Sequence, residues 1–107
     1  MLGMDQERQV KDHMKLYGQT FMAHSFCRAF MGPDESAAIG ELLSAIQKTW
    51  KPGERLADEQ IHELGAANAA LRRVYEGAPG RQNTRKSFEE QFTPAVGWEE
   101  YFARNLK

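Results

Sequence analysis

The sequence predicts an all-α fold, a small bundle of four to five helices that opens with one long N-terminal helix. Three observations carry that expectation. Val, Ile and Thr together number 10 against 44 for Ala, Leu, Glu, Gln and Met, a balance that favours helix over strand. Apolar residues recur at spacings of three and four rather than two, as on one side of a helix. Prolines at 33, 52, 79 and 94 each stand beside helix-starting or helix-ending residues and cut the chain into segments of helical length. A chain of 107 residues suffices for one core, so residues 1–107 are read as a single helical domain.

The first helix is expected from about Asp5 to Met31, where Gly32-Pro33 offers a left-handed cap and then a residue that cannot continue the ladder. Asp34 is placed to cap a second helix, whose Ile39, Leu42, Leu43, Ile46 and Trp50 form one apolar stripe before Lys51-Pro52-Gly53 ends it. A third, from about Asp58 to Glu76, carries Ile61, Leu64, Ala67, Leu71, Val74 and Tyr75 on one side and stops at Gly77-Ala78-Pro79-Gly80. Ser87-Phe88-Glu89-Glu90 has capping-box spacing for a short helix. Thr93-Pro94 opens a last one presenting Trp98, Tyr101, Phe102 and Leu106.

The first helix stands apart. About 27 residues make a rod of about 40 Å, whereas a compact domain of this size is roughly 33 Å across. Val10, Met14, Tyr17 and Phe21 cluster on one side of it, and Leu16, Ala23, Phe26, Cys27 and Phe30 lie nearly opposite. Two apolar faces require cover from a second protein, from an enveloping core, or from a bend. Gly18, which costs about 1 kcal/mol relative to Ala inside a helix, is where a bend would fall. Burying four such side chains against another molecule would yield on the order of 10 kcal/mol before association costs, enough for a homodimer. The residues assigned to partner binding are therefore Val10, Met14, Tyr17, Phe21, Phe26 and Phe30.

The inventory for chemistry is thin. His24 and Cys27 share a helix face, but two ligands make no metal site, and His13 lies three turns away. His24 then reads as a polar edge and Cys27 as a small buried hydrophobe. His62-Glu63 begins a zinc-protease pattern that Ala66 breaks. Glu89-Glu90 and Glu99-Glu100 diverge by about 100° on a helix and read as solvated surface. No Gly-rich phosphate loop followed by Lys-Ser or Lys-Thr occurs. No catalytic constellation and no cofactor is therefore expected. Trp50, Trp98 and Tyr101 either line a pocket or fill the core, and the core reading is preferred because aromatic burial dominates small cores.

With 14 basic and 15 acidic residues the chain exerts no global pull on nucleic acid. Its basic segment, Arg72, Arg73, Arg81, Arg85 and Lys86 against Glu76, keeps open an alternative as an accessory nucleic-acid binder. The absence of a long apolar run and of a secretory block at the N-terminus, with a single cysteine, leads to the expectation of a cytoplasmic protein without a membrane partner.

In size, helix content and lack of chemistry, and in Tyr17, Phe21, Phe26 and Phe30 along the long helix, the whole chain resembles small bacterial quorum-sensing anti-activators of the QslA-like kind. That resemblance implies a non-enzymatic protein that inhibits a transcription regulator by blocking its dimerisation, without touching DNA.

Overall fold

The computed structural model describes residues 4–78 and 86–105, and among them the fold is all-α. Five helices follow in order: α1 (Met4–Cys27), α2 (Pro33–Thr49), α3 (Asp58–Gly77), α4 (Phe88–Gln91) and α5 (Trp98–Asn105). A single 3-10 turn at Arg28–Phe30 extends α1, so the long first helix ends where its stop residues begin.

The stops themselves work differently from the expected ones. Gly32 has a φ of −63°, so it is extended rather than left-handed. It caps α2, with Pro33 in the first helical turn and no side-chain bond from Asp34. Pro94 opens a turn instead of a helix: the Gly97 N–H donates to the Pro94 carbonyl at 3.1 Å, and α5 starts only at Trp98. Gly97 holds a φ of +86°, where a side chain would be strained. Around α4 the Ser87 hydroxyl accepts from the Glu90 N–H at 3.1 Å and the Glu90 carboxylate accepts from the Ser87 N–H, the reciprocal cap its spacing predicts.

α1 is the central strut. It packs most extensively on α3 and also against α2 and α5. It neither bends at Gly18 nor presents two separate apolar faces. At 100° per residue, the Tyr17 cluster and the buried Ala23 and Cys27 lie on one arc, about 180° wide from Met14 to Ala23. The gap between them is filled by His13, Thr20 and His24, polar side chains that each bond inside the molecule, through His13 Nδ1, the Thr20 hydroxyl and His24 Nε2. The domain is elongated, with extents of 46 × 28 × 23 Å, longer than the roughly 33 Å expected of a compact chain of this size.

Gly18 is a site of close approach. Its missing side chain lets the Trp98 indole lie on the α1 backbone; a Cβ there would fall 2.6 Å from Trp98 Cε3. Behind it, Tyr17, Trp50 and Phe102 form an aromatic cluster, with Tyr17 and Trp50 centroids 5.0 Å apart. Trp50 is therefore core, and its indole N–H donates to the Glu54 carbonyl. Trp98 and Tyr101 pack against the same core from its edge. A second cluster, Tyr75, Phe88 and Phe92, closes the far end between α3 and α4.

Candidate protein-binding surface

The six residues assigned to a partner separate into three groups. Tyr17 is fully buried, and its hydroxyl donates to the Leu43 carbonyl at 3.2 Å. Burial first, and the neighbouring Tyr101 second, push that phenol up to about 12, so it stays neutral. Phe21 is half-buried and stacks beside it. Neither forms an outward face, because α2 and α5 wrap the side of α1 that the sequence reading left uncovered.

Val10 and Met14 are also buried in the core, but they form part of the floor of a groove. That groove, about 560 Å³, runs between α1, the α2–α3 connection and α5, lined further by Pro52, Gly53 and Phe102 and rimmed by Glu7, Lys11 and Glu99. Pro52 and Gly53 were legible only as a helix stop; nothing in the local spacing shows that the stop folds back beside Val10.

Phe26 and Phe30 alone among the six remain in solvent, 41% and 44% exposed. Their rings are 5.9 Å apart, and Phe26 also meets the edges of Tyr75 and Phe92. Phe26 thus rests on an aromatic base, and Phe30 leans on Phe26. Arg28 and Ala29, between them in sequence, are exposed as well. A Phe side chain offers about 200 Å², so the two exposed parts amount to about 4 kcal/mol of transferable apolar surface. That is at the low end of the cost of joining two proteins.

The polar residues are spent on the fold. His24 Nε2 lies 2.9 Å from the Ser36 carbonyl and therefore carries the hydrogen that it donates across to α2. Cys27 is fully buried with its thiol pointed at the Leu71 carbonyl, 3.7 Å away. Burial lifts that thiol to about 11, which removes the thiolate needed for nucleophilic or redox chemistry.

Glu89 is more than solvated surface. Its carboxylate accepts from Lys15 at 3.1 Å, Arg72 at 3.1 Å and Gln19 at 3.0 Å. Gln19 in turn accepts from Asn68, which also donates to the Thr20 hydroxyl. Gln19, Thr20 and Asn68 are all buried, so this chain of bonds joins α1, α3 and α4 through the core. Asn68 gave a readable signal, since it stands in the apolar stripe between Leu64 and Leu71.

The same network disarms part of the basic segment. Arg72 is held by Glu89 and lies 4.5 Å over the Phe88 ring, so its charge is engaged within the protein. Arg73 and Lys86 are exposed, while Arg81 and Arg85 lie outside the described residues. No described helix is long and apolar enough to cross a membrane. No family model, curated protein or solved structure matches the chain.

Proposed function

We propose that this chain is a non-enzymatic regulatory module that binds another protein through the aromatic end of α1, acting in the cytoplasm. The single observation that supports this is the Phe26–Phe30 pair, two large rings partly in water at the end of the first helix, with Phe26 packed on Tyr75 and Phe92 and Phe30 beside Phe26. The partner it fits is an apolar helix face that covers both rings and extends past them, because the pair alone contributes too little to hold a complex. A transcription regulator whose dimerisation surface is such a face would be inhibited by this contact, which is the mechanism that the resemblance to anti-activators implies. The buried Tyr17 side of α1 lends no area to a homodimer, so self-association through the aromatic end is a weak competitor of partner binding.

The test uses Phe26→Ser and Phe30→Ser, which remove exposed rings without disturbing the cap residues. Crosslinking capture by the folded wild-type chain, followed by reconstitution with the purified captured protein, should give a complex that each variant weakens at least tenfold. Light scattering on the free chain should report a monomer at micromolar concentration. Unchanged reconstituted binding by the double variant overturns the proposal, and a stable wild-type dimer lost in the double variant replaces it with self-association.

A further inference from the structure

The connection between α2 and α3, residues 50–57, folds on itself. The Glu54 N–H donates to the Lys51 carbonyl, the Glu54 carboxylate accepts from the Lys51 N–H, and the Trp50 indole donates to the Glu54 carbonyl. Gly53 turns the chain with a φ of +103°. Trp50 and Leu56 anchor this small unit in the core by their side chains. A polar tie to α1 joins them: the Leu56 backbone N–H donates to His13 Nδ1 at 3.0 Å, in a buried site.

A backbone N–H can only donate, so Nδ1 must offer a lone pair and His13 must be neutral with its hydrogen on Nε2. Adding a proton at Nδ1 places two N–H groups face to face, both out of reach of bulk water. The hydrogen bond is then lost, and the buried Leu56 N–H has no acceptor. Pro52 and Gly53, on the same connection, form one wall of the groove over Val10 and Met14. We infer that His13 is an acid-operated latch: neutral, it holds the 50–57 connection against α1, and on taking up a proton it releases that connection and opens the groove.

The charges acting on His13 come from three places. Burial depresses its proton affinity most, and Arg55 on the connection lowers it further, while Asp12 on α1 and Asp58 at the start of α3 oppose them; the outcome lies below the ordinary histidine value. A histidine lowered on folding contributes stability in full above its unfolded value near 6.5, and that contribution is lost as pH falls from there through the folded value. Release therefore follows acidification below the ordinary histidine value.

Amide hydrogen exchange by NMR tests the latch directly, with protection factors corrected for the intrinsic pH dependence of exchange. As pH falls from 7.5 through the His13 ring titration, Leu56 in the wild-type chain should lose at least tenfold protection in step with that titration, while Leu71 on α3 remains the better protected of the two. In His13→Asn the Oδ1 takes the place of Nδ1 and does not titrate, so Leu56 should stay protected throughout. Constant Leu56 protection across the wild-type His13 titration overturns the proposal. So does an equal, pH-dependent loss in His13→Asn. Should His13→Asn not fold, the wild-type pair of titration and exchange curves decides the matter alone.

Discussion

Gly18 shows how one missing side chain organises a helix that would otherwise be unremarked at that point. In an exposed helix a Gly→Ala exchange gains up to about 1 kcal/mol. At Gly18 the new methyl would press into the Trp98 ring, 2.6 Å from Cε3, and Trp98 is flanked by Tyr101 and Phe102. Overpacking of this kind costs about 1–3 kcal/mol, which outweighs the propensity gain. Gly18→Ala is therefore expected to destabilise by about 1–2 kcal/mol. Gly65, exposed on α3 with nothing within 4 Å of a Cβ, provides the contrast. Gly65→Ala should stabilise by up to about 1 kcal/mol. Urea unfolding of the two variants should give midpoints on opposite sides of wild type; an upward shift in both would mean that Trp98 yields.

Between elements, the α1–α3 contact is where apolar packing and polar bonding meet. Leu64, Leu71 and Tyr75 supply the greasy part, and Asn68 reaches from the same stripe to Gln19 and Thr20. Asn68→Ala removes both donors at once and leaves the Gln19 carbonyl and the Thr20 hydroxyl buried with one partner fewer. The expected loss is about 2 kcal/mol, seen in thermal unfolding as a fall of about 8–16 °C if each kilocalorie shifts the midpoint by about 4–8 °C. Ion pairs at Glu89 add less, since Lys15, Arg72 and Glu89 side chains are 49%, 41% and 46% exposed and screened by water.

For the molecule as a whole, acid is the informative perturbation. Burial raises the Glu89 carboxyl, but hydrogen bonds from Lys15, Gln19 and Arg72, with the Lys15 charge, outweigh it and leave the group below its ordinary value. A carboxylate lowered on folding contributes stability in full above its unfolded value, about 4.3, and loses it as pH falls through the folded value. Thermal midpoints measured from pH 7 to pH 3 should therefore fall again below about 4.3, apart from any earlier step near the histidine range. Glu89→Gln should flatten the later fall and leave the earlier one.

The helices were readable because their signals are local: prolines, the Ser87 box and stripes at three and four need only neighbours in sequence. The course of α1 was readable for the same reason, and its surroundings were not. Counting His13, Thr20 and His24 as water-facing divides one broad buried arc into two faces and overstates the apolar surface left in water: among the six residues only Phe26 and Phe30 are exposed. Whether a polar side chain faces water depends on partners such as Leu56 and Ser36, 43 and 12 residues away. Of the expected site, Phe26 and Phe30 were legible as apolar positions, but their exposure was not, because it depends on how far side chains distant in sequence, such as Tyr75 and Phe92 against Phe26, cover them.

The polar chain through Gln19, Thr20 and Asn68 has a further consequence for how the two longest helices can mesh. Sliding α3 along α1 by one turn, about 5.4 Å, would still set oil against oil almost everywhere. It would strand these three groups in a dry seam. A uniformly greasy seam would tolerate several alignments, whereas this one accepts a single alignment, as a polar residue does at the heart of a coiled coil. The amide and hydroxyl at the centre act as a tooth that selects one gear position for α3, and through α3 and α4 they set where the aromatic end of the strut points.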